Sequence, residues 1–296
     1  MRRMYDGCRW VGLLIIGMAV LGGIFAAPVS GQEARGKIRI SYPNASICCF
    51  ALFAAQQWKI FEQNGLEVES IQMRSQAANA ASVSGDIHYV AGVGPNSVAA
   101  TLRGVPSKAV WFASEQLIYS IVSRPEFKSL KELRGKRIGV TGLGGTSDVA
   151  LRIGLEAMGE NAKDFVRELL DVGAHVQMPL GGLTASNASI QNRANELKRV
   201  IRSLQVAKRM LLQSKEKSID VIMRAIKVDR ETAEDTYAEF RRTSSGSGVP
   251  TREGMEQIVK SLQMLGQFAG RKIAFEEIAD ARIAREIARE LGYKID

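Results

Sequence analysis

Apolar and polar positions change period several times along this chain. Lys37 to Ser41 alternates and runs into Tyr42-Pro43, which predicts a short strand ending in a loop. Asn44 to Ser46 precede an apolar stretch that predicts a helix over 47–63, closed by Asn64-Gly65. Leu66 to Met73 alternates again, Ser75 to Ser84 reads as a small-residue helix, and Ile87 to Ala91 as a third strand. A helix to Arg103 follows, then strands over 108–113 and 117–123 and a short helix over 127–134. Lys136 to Val140 forms the next strand, and a helix runs to Met158 with Gly159 as its cap. A broken strand occupies 172–184. From about Asn187 the chain is nearly all helix, with a 3.6-residue stripe at Leu197, Val200, Ile201 and Leu204. Further helices are predicted over 215–226, 229–242, 251–268 and 280–291. Strands alternating with helices predict a parallel α/β sheet covered on both faces.

The sharpest local signal is Val140-Thr-Gly-Leu-Gly-Gly-Thr-Ser-Asp148, read as strand, glycine turn and helix start. Unpaired N–H groups at a helix N-terminus and the positive end of its dipole suit an anionic or strongly polar ligand. It is not a P-loop, because Gly145 stands where a lysine would reach phosphates. It lacks the third glycine of a dinucleotide fingerprint, since Ser147 occupies that place. A plain strand-to-helix turn is the alternative. Two loops in equivalent places, Tyr42 to Ser46 and Gly92 to Ser97, are also rich in small and polar residues. Ligands in parallel α/β sheets sit beyond the carboxyl ends of strands, so the three loops are expected to share a cleft.

The N-terminus stands apart. Arg2, Arg3 and Arg9 precede an apolar run from Val11 to Ala27, and small residues surround Gly31. This predicts a signal peptide over 1–31 and an exported protein, tethered to the membrane if the signal stays uncleaved. Cleavage removes three arginines and one aspartate and takes the net charge from +9 to +7. That charge is expected on a solvated surface, and nucleic acid is not an expected partner of an exported chain.

Catalytic constellations are scarce. There are two histidines, His88 and His175; His175 has no neighbouring carboxylate or cysteine at metal-ligand spacing, and no Gly-x-Ser-x-Gly elbow occurs. His88 is expected as a satisfied core residue and the adjacent Cys48 and Cys49 as buried free thiols. Phe53, Trp58 and Phe61 are expected in the core, and Glu276 and Glu277 in solvent. Asp148 is expected to support its own helix start. Trp111 and Glu115 are either core residues or part of a cleft wall. No enzyme activity, cofactor or metal is expected.

Several segments together resemble periplasmic solute-binding proteins of ABC importers, of the nitrate, sulfonate, taurine and thiamine-precursor type. They are Arg39-Ile-Ser-Tyr-Pro, Ala55 to Gly65 leading into Leu66-Glu-Val-Glu, Gly92-Val-Gly-Pro, Leu130-Lys-Glu-Leu-Arg-Gly-Lys-Arg-Ile-Gly-Val, Gly181-Gly-Leu-Thr and Asn195 to Arg202. The resemblance implies a bilobal α/β fold of the type II periplasmic-binding-protein kind. Lobe one would comprise 32–123, lobe two 124–173, and residues 174–296 the return to lobe one with C-terminal helices. It further implies a small-molecule ligand, a membrane permease as partner, and a monomer. Ligand contacts would come from Tyr42, Asn44, Ser46, Gly94 and Asn96 in lobe one. Thr141, Gly145, Thr146 and Ser147 would supply them in lobe two, and Thr184 near the return.

One departure stands out. Only Glu160 to Asp171 occupies the place of a strand, a helix and a further strand, a shortfall of about fifty residues against a usual βαβ segment with its flanks. The chain is then either a compact variant or a relative with an internal deletion. The alternatives to a receptor are an enzyme of pyrimidine-precursor metabolism on the same fold and a truncated relative that folds without binding.

Overall fold

The computed structural model describes residues 36–117, 119, 123–136, 146–160, 178–244 and 246–295. Residues from Gly36 onward form one compact unit. The predicted signal segment 1–31, the strand over 136–140 beyond its first residue, and the glycine turn up to Gly145 lie outside the described residues. So do most of 117–123 and the first part of 172–184.

Among the described residues five strands make one sheet: β1 (Ile38–Tyr42), β2 (Val68–Gln72), β3 (Tyr89–Ala91), β4 (Ser107–Trp111) and β5 (Leu183–Ser186), in the order β2-β1-β3-β5-β4. β1 pairs parallel with β2, Ile38 opposite Val68 and Tyr42 opposite Gln72, and parallel with β3. β5 is antiparallel to both β3 and β4. The expectation of a parallel sheet therefore holds for β2-β1-β3 and fails at β5. That strand re-enters the sheet from the opposite end and wedges between β3 and β4. The fold is a mixed, open α/β sheet with a high helical content.

The described helices are α1 (Phe50–Gln57), α2 (Ile60–Gln63), α3 (Ser75–Ser84), α4 (Pro95–Leu102), α5 (Thr146–Ala157) and α6 (Asn187–Asn192). After them come α7 (Ala194–Gln213), α8 (Lys215–Ile226), α9 (Arg230–Thr243), α10 (Arg252–Met264), α11 (Phe275–Ile278) and α12 (Arg282–Glu290). None is long and apolar enough to cross a membrane. The single helix expected over 47–63 is three pieces. A 3₁₀ turn at Ile47–Cys49 opens it, and Lys59 breaks it with φ at 55°, outside helical space. The helix expected over 127–134 contracts to a 3₁₀ turn at Leu130–Leu133.

The stripe read from the sequence is real: Leu197, Val200, Ile201, Leu204, Ala207 and Leu211 of α7 are all buried. They meet Phe50, Ala54 and Phe61 in the larger core, against the face of β1 that carries Ile38 and Ile40. Phe53 and Trp58 are partly buried against this core. Lys198 of α7 bridges Glu286 and Glu290 of α12 at 2.6 and 3.0 Å. A second core covers the other side, where Val98, Met255, Ile258 and Leu262 surround Phe112 and Met178. Tyr89 is fully buried, and its hydroxyl donates to Glu196 Oε1 at 2.8 Å. Side-chain caps end the solvent-facing ladders: Ser186, Asp229 and Thr251 accept N–H bonds at the starts of α6, α9 and α10. Each such cap is worth about 1 kcal/mol.

Candidate functional site

β1, β2 and β3 run parallel, so their carboxyl ends and the loops leaving them lie on one side of the sheet. Those three loops wall a cleft of about 770 Å³. Its lining comes from 41–48 after β1, from 73–79 after β2 and from 90–97 after β3, closed by Tyr119, Leu180 and Gly181. The wall is polar in hydroxyl and amide groups, with Arg74 as its charged side chain among the described lining residues.

Tyr42, Asn44, Ser46 and Asn96 are brought together in this wall. The Tyr42 ring is held edge-on by Phe53 of α1, with centroids 5.2 Å apart. Ser46 Oγ donates to Asn44 Oδ1 at 2.9 Å and lies 3.1 Å from Cys48 Sγ. Asn44 and Asn96 are exposed, so their amides face the open cleft. Gly94 does not line the cleft. It is buried as the residue preceding α4, its N–H donating to Ser97 Oγ at 3.0 Å while that hydroxyl donates to Gly94 O at 2.9 Å. Thr184 is buried in β5 and donates to Val90 O at 3.4 Å. Thr141 and Gly145 lie outside the described residues. Thr146 and Ser147 are the first two residues of α5. Asp148 is buried in that first turn and accepts from Arg152 Nε at 2.9 Å.

Other expectations resolve differently. Trp111 is buried away from the cleft and donates through Nε1 to Gln205 Oε1 at 2.8 Å. Glu115 is half-buried beside Lys208, and neither Trp111 nor Glu115 lines the cleft. Cys49 is buried, as expected, but Cys48 lines the cleft. The two thiols are free, with their sulfurs 3.6 Å apart. The Cys49 thiol beside Cys48 favours the thiolate more than burial opposes it, and Ser46 adds to this, so Cys48 is lowered to about 7. Cys49 is pushed up by the same contact and by burial. Tyr119 is raised to about 12, first by burial and then by Cys48. His88 is half-buried and satisfied, its Nδ1 accepting the Arg39 N–H at 3.0 Å. Glu276 and Glu277 are exposed, as expected.

The loop after β2 escaped the sequence reading. Met73, Arg74, Ser75, Gln76 and Asn79 line the cleft. The same rule that selected the other two loops, position beyond the carboxyl end of a parallel strand, selects this one. Its lack of glycines concealed it.

Gly181 and Gly182 form the joint that brings the returning chain against these loops. Their N–H and C=O groups interlock with the loop that leaves β3: Gly181 donates to Val93 O at 2.8 Å and Gly92 donates to Gly182 O at 2.9 Å. A side chain has no room there. A β-carbon on Gly182 would lie 2.1 Å from Trp111 O, and φ at Gly182 is 118°.

Residues 49–179 match the model of the family described as NMT1/THI5 like. No curated protein sequence matches the chain at a significant level. Several solved structures share its fold. One is the zinc-bound ligand-binding component of an ABC-type import system from Staphylococcus aureus, 13% identical, with a TM-score of 0.69 over 86% of this chain and 99% of that one. Another is the periplasmic aliphatic sulphonate binding protein SsuA from Escherichia coli, 11% identical, with a TM-score of 0.65 over 82% of this chain and 92% of that one. A third is the alkanesulfonate-binding protein SsuA from Xanthomonas axonopodis pv. citri bound to MOPS, 16% identical, with a TM-score of 0.59 over 83% and 97%. At these identities the likeness is one of fold, and that fold is the periplasmic-binding-protein fold expected from the sequence motifs.

Proposed function

We propose that this chain, a protein of the periplasmic-binding-protein fold whose residues 49–179 carry the NMT1/THI5-like pattern, is the exported solute receptor of an ABC importer. It captures a small polar or anionic solute and delivers it to a membrane permease. The observation that carries this is the meeting of three βα loops in one cleft, with Tyr42, Asn44, Ser46 and Asn96 in its wall. Hydroxyl and amide donors at strand ends hold a solute without transforming it.

Tyr42, Asn44, Ser46 and Asn96 form the half of the site that belongs to lobe one. On this reading Thr141, Gly145, Thr146 and Ser147 would supply the opposing half, with the start of α5 presenting N–H groups to the solute when the lobes close. The first 31 residues act as the export signal. Sulfonates head the list of solutes because two structural neighbours are sulfonate-binding proteins by name; nitrate, taurine and pyrimidine precursors follow.

A thermal-shift screen of the mature chain against alkanesulfonates, taurine, nitrate, pyrimidines and aromatic acids tests the proposal. A ligand that binds only the folded state raises Tm by mass action, by about 2.7 kcal/mol of stability at a hundred times its Kd. A shift with one ligand class, and recovery of that ligand unaltered, is expected. Conversion of the ligand to a product would instead mark an enzyme.

A further inference from the structure

The cleft is not chemically uniform. At its α4 side, Ser97 already occupies the helix start, bonding both the N–H and the C=O of Gly94. At its α3 side the helix start is open. α3 has ten residues, the extended Arg74 precedes it, and no side chain caps it. The intrahelical ladder begins with Ala78 N–H to Arg74 O at 2.9 Å, which leaves the N–H groups of the first turn to face whatever enters the cleft. Arg74, Ser75, Gln76 and Asn79 all line that end.

A second observation lies underneath. Ser41 of β1 is fully buried, and its Oγ has no hydrogen-bond partner. Ser41 pairs with Ile71, which packs with Ala78 and Val90 on the α3 side of the sheet. Ser41, Ala78 and Val90 form the cleft floor there. A buried hydroxyl without an acceptor is costly, and of the three side chains with such an orphaned atom among the described residues, Ser41, Ser70 and Gln205, only Ser41 lines the cleft, where a ligand could supply the acceptor. Arg74 is exposed, lines the same cleft and has no ion-pair partner among the described residues.

We propose that the α3 end of the cleft is an oxyanion subsite for a carboxylate, sulfonate or phosphonate head group. The group accepts hydrogen bonds from the first-turn N–H groups of α3 and from Ser41 Oγ, and lies under the Arg74 guanidinium. The subsite rests on the receptor function proposed above, and adds that the solute carries a negative charge and which end of the cleft takes it. The remaining wall, with Tyr42 and Asn96, is left for the body of the solute.

The test is calorimetric titration of the mature chain with ethanesulfonate, ethylphosphonate and propionate, each beside a neutral counterpart, ethanesulfonamide or propionamide. At least one anion is expected to bind about tenfold or more tightly than its neutral counterpart. Arg74→Gln is expected to weaken that anion about tenfold and Ser41→Ala about three- to tenfold, with unchanged circular dichroism. Neutral compounds binding as tightly as the anions would overturn the subsite and leave the receptor function standing. So would anion affinities untouched by both substitutions. Absence of binding by every compound would overturn both.

Discussion

Gly181 packs its α-carbon directly against Cys48: a β-carbon at 181 would lie 2.6 Å from that of Cys48 and 3.0 Å from its carbonyl oxygen. The backbone at Gly181 is also left-handed, with φ at 70°. The return of the chain towards β5 and the loop that follows β1 are thus fixed to each other at the cleft wall. Gly181→Ala is expected to destabilise the fold by about 2–3 kcal/mol through overpacking and backbone strain together. Urea unfolding measures this, and a loss below 0.5 kcal/mol, roughly the level of a neutral surface change, would contradict the tight joint.

Cys48 carries a reactivity prediction. With its thiol lowered to about 7, the thiolate forms as pH rises through that value. Carboxamidomethylation of Cys48 by iodoacetamide is therefore expected to rise with a midpoint near 7, while buried Cys49 stays unmodified. Cys49→Ala removes the neighbouring donor and is expected to move the midpoint upward. Mass spectrometry of quenched samples reads both sites. A bound solute is expected to slow the reaction, because Cys48 lines the cleft.

Lys208 sets a pH dependence of stability. It is fully buried, with Nζ 3.5 Å from Phe112 O and 5.4 Å from the Trp111 ring centroid. Burial lowers it from 10.5 to about 8, against the opposing pull of Glu115, which burial in turn raises. Between these two values the unfolded chain holds a proton that the folded chain has released, so stability rises with pH across that window. Below about pH 8 the folded state bears the full penalty, about 3 kcal/mol by linkage. A Lys208→Met, Glu115→Gln double variant is expected to gain about 1–3 kcal/mol at pH 7. That advantage is expected to shrink by pH 10. Paired denaturation curves at pH 7, 8.5 and 10 check it, and a constant difference would contradict the assignment.

The helices and strands were legible wherever burial follows a simple period. Ile38 and Ile40 mark one face of β1, and Leu197, Val200, Ile201 and Leu204 mark one face of α7. The direction of β5 was not, because Leu183 to Ser186 pairs the same way in sequence whether it runs parallel or antiparallel. The break at Lys59 was hidden too, since its neighbours keep an apolar period across it. In the cleft, the loops that carry Tyr42, Asn44, Ser46 and Asn96 stand out because they are strand-end loops rich in small polar residues, and the resemblance singles out these four residues within them. Arg74 and Ser41 were missed for opposite reasons. Arg74 follows a loop with no glycine, and Ser41 reads as an ordinary small residue inside a strand. Its orphaned hydroxyl becomes visible only when its surroundings are known.

The cleft lined by Tyr42, Asn44, Ser46 and Asn96 is proposed to hold a solute. The decisive measurement is calorimetric titration of the mature chain with the ligand that gives the largest thermal shift, repeated on an Asn44→Ala, Asn96→Ala double variant. One-site binding to the wild-type chain is expected, with a loss of about 1–3 kcal/mol in the variant from two missing amide contacts. Equal affinity in both proteins, or no binding by the wild-type chain to any compound of the screen, would contradict it.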